Sequence, residues 1–190
     1  MGINLQKGQR VSIESNGTSV QKFRIGLGWD TNVSDSGADF DLDASVFVLG
    51  ENEKTIGDGY FVFYNNLSDP EGAIIHTGDN LTGEGEGDDE MVDVDLSKIN
   101  PGAKSINIIV TIHDANARGQ NFGQVRNAFV RIYDPNTNEE IIKYDLSEDF
   151  SIETAVEFGR IYLKDGNWKF EAIGTGFNGG LQSFVDKYIQ

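Results

Sequence analysis

Apolar and polar residues alternate along most of the chain, which predicts short β-strands joined by turns. The clearest example covers residues 39–49, where the even positions are apolar. The odd positions at the start of this strand are Asp39, Asp41 and Asp43, so the three carboxylates share one face. Residues 105–113 are almost continuously β-branched, which is typical of a central strand covered on both faces.

The remaining pattern predicts an all-β fold. Further strands are expected at residues 11–13, 23–28, 60–64, 92–96, 129–133, 140–144, 155–163 and 168–172. Pro135-Asn136 and Asp165-Gly166 are typical of hairpin turns between the later strands. Apolar residues then recur at helical spacing, which predicts a short helix within residues 179–190. We therefore expect residues 1–190 to form a single antiparallel β-sandwich domain with a short C-terminal helix.

Composition narrows the possible functions. The formal net charge of −16 would repel nucleic acid, so no nucleic-acid partner is expected, and cations or basic partners are favoured. The chain has no Cys, which excludes disulfides, thiolate catalysis and Cys-ligated metals. No signal-like apolar segment opens the chain, and no apolar run is long enough to span a membrane, so we expect a cytoplasmic protein.

The strongest candidate chemistry lies in two acidic stretches. Residues 78–90 combine a dense run of Asp and Glu with alternating glycines and no Lys or Arg, so mutual repulsion opposes a single closed shape. The Asp-rich strand beginning at residue 39 is the second stretch. A hard cation such as Ca²⁺, which takes six to eight oxygen ligands, would resolve both conflicts. The candidate ligands are Asp30, Asp39, Asp41, Asp43, Asp79, Asn80, Gly83, Glu84, Asp88, Asp89 and Glu90.

Other interpretations of these stretches remain open. The loop could be a solvated acidic linker, and the Asp-rich strand could be a solvent-facing surface. An EF-hand is excluded, since Ala44 and Gly50 stand where that loop needs Gly and Glu. Residues 83–87 lack the Lys of a phosphate-binding loop. His76 and His113 are interpreted as ordinary hydrogen-bonding residues.

Taken together, the motifs show that the chain resembles the TerD family of tellurium-resistance and general stress proteins. The motifs that carry the resemblance are GLGWD at 26–30, DFDLDASVF at 39–47, FYNN at 63–66, HTGDNLTGEG at 76–85, GDDE at 87–90, GQNFGQV at 119–125, YDLSED at 144–149, WKF at 168–170 and GGL at 179–181. The resemblance covers essentially the whole chain. It implies a calcium-binding β-sandwich in bacterial stress response, with the metal held by the two acidic stretches.

Two functional hypotheses follow. Without Cys or a recognisable cofactor motif, the chain is not expected to reduce tellurite itself. The first hypothesis is a non-enzymatic, Ca²⁺-dependent interaction or scaffold module, whose partners are other stress-response proteins, with the membrane surface as one possible location. The alternative is a metal-dependent enzyme acting on phosphate or sugar esters, in which the cation would bridge substrate oxygens.

Overall fold

The computed structural model of the chain describes residues 2–30, 40–77, 88–146 and 150–189. The strands within these ranges are β1 (Ile3–Leu5), β2 (Arg10–Ser12), β3 (Glu14–Ser15), β4 (Thr18–Ser19), β5 (Lys22–Gly28), β6 (Leu42–Leu49), β7 (Phe61–Val62), β8 (Ile74–His76), β9 (Glu90–Asp95), β10 (Ser105–Ile112), β11 (Phe129–Tyr133), β12 (Glu140–Asp145), β13 (Ala155–Lys164) and β14 (Asn167–Phe177). The helices are α1 (Ala115–Arg118) and α2 (Gly180–Tyr188), with a 3-10 turn at Phe122–Gln124.

Two six-stranded sheets make up the body of the fold. The first sheet has the order β1-β12-β11-β5-β9-β8, and the second has the order β2-β14-β13-β10-β6-β7, while β3 and β4 form a separate hairpin. Within the described ranges, the strand pairs are antiparallel except for β1 with β12, which is parallel. The predicted antiparallel sandwich is thus confirmed, with one parallel pair at the edge of the first sheet.

The two sheets pack against each other through one apolar core. Ile25 of β5 and Val92 of β9 enter it from the first sheet, and Val46 of β6 and Ile108 of β10 enter it from the second. Each of these four residues is one of the apolar residues of a strand that either alternates or is fully buried. Removing one such side chain from water stabilises the fold by about 1.5–3 kcal/mol.

Helix α2 covers the outer face of the second sheet. Its Phe184 and Tyr188 are buried against Phe47 of β6 and Ile109 of β10. β6 and β10 are therefore covered on both faces, as the β-branched run of β10 predicts. The alternation in β6 suggests instead one polar face, yet every residue of this strand is buried.

A buried polar network fixes the C-terminal end of α2 to the sheet. The hydroxyl of Tyr188 donates to Oε1 of Glu157 at 2.8 Å, and the amide of Asn107 donates to the same oxygen at 2.8 Å. Nζ of Lys187 lies 3.2 Å from Oε2 of Glu157. Burial, followed by the charge of Glu157, raises the pKa of Tyr188 well above its usual value, so this hydroxyl stays protonated as a donor.

Replacing Tyr188 with Phe should lower the free energy of unfolding by about 1.5–3 kcal/mol, because a buried carboxylate loses a donor. Chemical denaturation measures the change. The control is Tyr162→Phe on β13, whose hydroxyl takes part in no hydrogen bond within the described part of the chain. Equal losses in the two variants would contradict an anchoring role for the Tyr188 hydroxyl.

The connection between β10 and β11 is more ordered than the sequence pattern predicts. The Gly/Gln/Asn-rich segment 119–124 contains the 3-10 turn, in which Asn121 and Gln124 form a reciprocal capping box. The preceding helix α1 ends at Gly119, whose φ of 64° suits a residue without Cβ. Within the described ranges, neither α1 nor α2 is long and apolar enough to cross a membrane.

Candidate metal centre

One end of the first sheet gathers two of the acidic segments. β5 and β9 are antiparallel, and Leu27 near the end of β5 pairs with Glu90 at the start of β9. Asp30, two residues beyond β5, therefore lies at the same end of the sheet as Asp88 and Asp89. The register that produces this juxtaposition follows from the burial of the alternating apolar residues of both strands.

Glu90 connects this end of the first sheet to the start of β6 in the second sheet. Its Oε2 accepts a hydrogen bond at 2.5 Å from the backbone N–H of Ala44 in β6. On β6, Val48 donates its N–H toward the β7 side, to the carbonyl of Tyr60. The N–H of Ala44 points to that same side but lies beyond the residues of β6 that β7 pairs, so the Glu90 carboxylate supplies its acceptor. Glu90 thus joins the two sheets across the sandwich.

A histidine accompanies this buried carboxylate. Nε2 of His76 on β8 lies 3.6 Å from Oε2 of Glu90, and the two side chains are 1% and 0% exposed. Burial of a carboxylate is costly unless it is paired or hydrogen-bonded. His76 and the Ala44 N–H both help to hold Glu90 in the core.

Asp41 and Asp43 lie on the face of the second sheet opposite the main core. Asp43 pairs in register with Thr111 of β10, and its Oδ2 lies 3.4 Å from Nδ1 of His113. Oδ2 of Asp41 lies 3.7 Å from Nη2 of Arg118. Both aspartates are 5% exposed. Their shared face agrees with the sequence alternation, but the face is buried rather than solvated.

The carboxylate of Asp89 is electrostatically disfavoured at this end of the sheet. Its N–H donates to the carbonyl of Leu27 at 2.8 Å, and its Oδ2 accepts from the N–H of Trp29 at 3.1 Å. Burial is the main cause that raises the pKa of Asp89, and the charge of Asp88 raises it further, against the opposing effect of the Trp29 N–H. The ionised form is therefore disfavoured unless a positive charge comes close.

Asp88 is already paired with a cationic side chain of the protein, Arg131. Nε and Nη2 of Arg131 on β11 donate to its two carboxylate oxygens at 2.8 and 2.9 Å, and the Asp88 side chain is 1% exposed. The carboxylate lies over Gly26 of β5, where an added Cβ would overlap it. Coordination of a metal by this carboxylate would require it to leave Arg131.

The predicted ligands divide into three groups by position. Asp30 is exposed, and its Oδ2 accepts from the side-chain amide of Asn127 at 2.6 Å. Asp41, Asp43, Asp88, Asp89 and Glu90 are held as described above. The following predicted ligands lie outside the described residues: Asp39, Asp79, Asn80, Gly83 and Glu84. Within the described ranges, no three His, Asp or Glu side chains form a group positioned to hold a metal ion, so coordination itself stays a prediction.

Several residues of this end were not singled out from the sequence. Arg131 occupies the polar position of an otherwise alternating strand, FVRIY, and that pattern alone does not identify its partner. Arg118 lies in the short helix α1, beside Asp41. The interpretation of His76 and His113 as hydrogen-bonding residues is compatible with their places beside Glu90 and Asp43.

The fold and this acidic end define a class of β-sandwich proteins, and comparison identifies the family. A family model described as the TerD domain matches residues 1–188, so the chain belongs to the TerD family of tellurium-resistance and general stress proteins. It is 53% identical to general stress protein 16U of Bacillus subtilis (strain 168) over 188 residues, covering 99% of this chain and 97% of that protein.

Further relatives extend the comparison to tellurium resistance. The chain is 48% identical to tellurium resistance protein TerD of Serratia marcescens over 188 residues, covering 99% of this chain and 97% of that protein. Among solved structures, a homologue of telluride resistance protein from Streptomyces coelicolor A3(2) matches with a TM-score of 0.69 at 21% identity, covering 88% of this chain and 96% of the other. The structural match supports the sandwich fold.

Proposed function

We propose that this protein is a calcium-binding stress-response protein that acts as a Ca²⁺-dependent interaction or scaffold module. The observation that carries the proposal is that Asp30, Asp41, Asp43 and Asp89 lie in or next to the ends of β5, β6 and β9, which the bond from Ala44 to Glu90 brings to one end of the sandwich. There, the raised pKa of Asp89 marks a carboxylate whose ionisation a nearby cation would favour.

The donor chemistry of this end suits a hard cation. Carboxylates, amides and backbone carbonyls are the oxygen donors that Ca²⁺ uses, and softer metals would favour thiolates, which this chain lacks. Asp41, Asp43 and Asp89 are the described residues best placed to contribute, since they lie within or directly before the buried strands β6 and β9. The predicted ligands in residues 79–84, together with Asp39, would complete the coordination.

Two of the predicted ligands support the centre through contacts with other strands. Asp88 is neutralised by Arg131, and Glu90 binds the N–H of Ala44 across the sandwich. With these groups fixed, a bound cation would reduce the repulsion among the other carboxylates. Binding would order the acidic loops and present a surface to partners, which we propose are other stress-response proteins in the cytoplasm, with the membrane surface as a further docking place.

This proposal assigns no bond-breaking step to the protein. The alternative, a metal-dependent hydrolase of phosphate or sugar esters, requires coordination positions open to water or substrate. A crystal structure with calcium bound separates the two functions by its coordination shell. A cation saturated by protein oxygens favours the scaffold role, whereas open water positions and turnover of p-nitrophenyl phosphate would favour the enzyme.

Calcium should bind well ahead of magnesium. Glycine-rich loops with many carboxylates suit a large, irregular coordination shell, whereas Mg²⁺ requires near-octahedral geometry and retains several waters. Isothermal titration calorimetry with Ca²⁺, repeated with Mg²⁺ present as competitor, measures the preference. Equal affinities for the two ions would contradict a dedicated calcium centre.

A further inference from the structure

A cleft of about 420 Å³ opens on the outer face of the second sheet, at the N-terminal end of α2. Its floor includes Asp43 and Thr111, which are register partners on β6 and β10. The start of α2 from Gly179 to Gln182 forms one wall, and the segment from His113 to Ala117 forms another. Its volume is within the range of small-molecule sites.

The floor of the cleft carries a polar group that the fold does not use. Thr111 is 3% exposed. Its side chain lies on the outer face of β10, because Val110 and Ile112 on either side enter the main core. Within the described part of the chain, the Thr111 hydroxyl takes part in no hydrogen bond. Because Thr111 lines the cleft, a ligand bound there could pair with this hydroxyl.

The start of α2 forms the positive end of the cleft. The N–H of Gly180 donates to Oγ1 of Thr154 at 3.1 Å. Within the described ranges, no acceptor outside the helix receives the N–H groups of Leu181 and Gln182. The N-cap residue is Gly179, which offers no side-chain cap. Free N–H groups together with the helix dipole favour a negatively charged ligand group.

The wall from His113 to Ala117 is negative. His113 lies between two carboxylates, with Nδ1 at 3.4 Å from Oδ2 of Asp43 and Nε2 at 3.7 Å from Oδ2 of Asp114. A simple anion at the start of α2 would use the N–H groups of the helix but not the carboxylate of Asp114. A molecule with one carboxylate and one ammonium group satisfies both walls. The ring of Tyr64, which is 37% exposed, adds an apolar surface at the rim.

We propose that this cleft binds a free amino acid as a zwitterion. The ligand carboxylate accepts from the N–H groups of Leu181 and Gln182, and the ammonium group faces the carboxylate of Asp114. Thr111 donates to the carboxylate from the floor. The site is distinct in chemistry from the calcium centre, although Asp43 borders both, so its test leaves Asp43 unchanged.

Glycine, L-alanine and L-leucine serve as probes in NMR titrations of the full-length protein in calcium-containing buffer. At least one should produce saturable shifts of the backbone amides of Leu181 and Gln182. Acetate and methylammonium, each of which satisfies only one wall, should bind at least about tenfold more weakly, a difference of 1.4 kcal/mol. Absence of saturable shifts with all three amino acids, or equally tight binding of acetate, would overturn the proposal.

Thr111→Val removes the floor hydroxyl at nearly constant volume and should weaken binding about tenfold, the effect of losing one hydrogen bond to a charged group. Thr18→Val, on the exposed β3–β4 hairpin, is the matched control and should leave the affinity unchanged. If Thr111→Val does not fold, Asp114→Asn replaces it. The Asp114 side chain is 67% exposed, and its φ of 50° suits Asn. Unchanged affinity in the folded variants would place the ligand elsewhere.

Discussion

Replacement of Arg131 by methionine should lower the free energy of unfolding by about 3–5 kcal/mol, since it leaves a buried carboxylate without its cation. The Asp88 side chain is 1% exposed and receives both of its ionic hydrogen bonds from Arg131. The pair is also rigidly placed, because the Asp88 carboxylate lies against Gly26 and the guanidinium stacks 4.1 Å from the Tyr133 ring. Chemical denaturation followed by circular dichroism measures the loss.

The neighbouring strand provides a matched control. Lys143 is the register partner of Arg131 on β12, and its own partner, Asp145, is 61% exposed. Because exposed ion pairs contribute about 0–1 kcal/mol, Lys143→Met should have a small effect. Adding Asp88→Asn to Arg131→Met should restore part of the lost stability, since it removes the buried charge. Similar losses for Arg131→Met and Lys143→Met would show that burial does not strengthen the Asp88 pair.

The same variant tests the predicted role of Asp88 in metal binding. In the present structure, both Asp88 oxygens are held by Arg131. If Asp88 only supports the centre, Arg131→Met should keep or lower the calcium affinity. If Asp88 is a ligand that competes with Arg131, the variant should bind calcium more tightly than the native chain, and calcium should recover most of the lost stability.

Much of the architecture could be predicted from alternation because burial enforces it. A strand such as β9 exposes one face, so its sequence records the direction of the core. The i, i+3, i+4 spacing of Leu181, Phe184 and Val185 likewise records the apolar side of α2. These signals are local, and each needs only the period of its own element.

Features that depend on distant segments were not predictable in this way. The parallel pairing of β1 with β12 joins residues as far apart in the chain as Ile3 and Ile142. The bond from Ala44 to Glu90 depends on the distance between two sheets, which no local pattern contains. The complete burial of β6 is of the same kind, because its polar face is covered by α2 and by the segment after β10.

The candidate site likewise combines features that a local sequence pattern predicts with features that depend on distant segments. The sequence predicted that the acidic stretches meet at one end of the sandwich. The described members, Asp30, Asp41, Asp43 and Asp88 to Glu90, lie in or next to the ends of β5, β6 and β9. Within the described ranges no three of them form a group positioned to hold a metal ion, so a shared centre stays a prediction. The sequence did not predict that Arg131 neutralises Asp88 or that His76 accompanies Glu90. The basic partner of a buried acid is a single residue in a strand distant in sequence. A count of clustered acids does not include such partners, so it overestimates how many carboxylates are available to bind a metal.

Neutralising one acid from each stretch should affect a single calcium-binding event. Asp41 directly precedes β6 of the second sheet, and Asp89 directly precedes β9 of the first. If one centre draws ligands from both, Asp41→Asn and Asp89→Asn should each weaken calcium binding about tenfold, and the double variant should lose less than the product of the two effects. Calorimetry gives the affinities, and circular dichroism checks the fold. Losses that combine independently would indicate separate sites.

The free energy of unfolding of the same variants gives an independent test, because Asp89→Asn should have opposite effects without and with calcium. In the native chain, calcium at one hundred times Kd should raise the free energy of unfolding by about 2.7 kcal/mol for each bound ion. Without calcium, Asp89→Asn should instead stabilise the fold at neutral pH. The raised pKa of Asp89 means that its ionised form is disfavoured in the folded state, and Asn removes that charge while keeping an acceptor for the Trp29 N–H.

With calcium, the variant should lose most of the stabilisation that the metal gives to the native chain. An unchanged melting midpoint of the native chain between EDTA and excess calcium would leave these carboxylates as a polar surface without a metal.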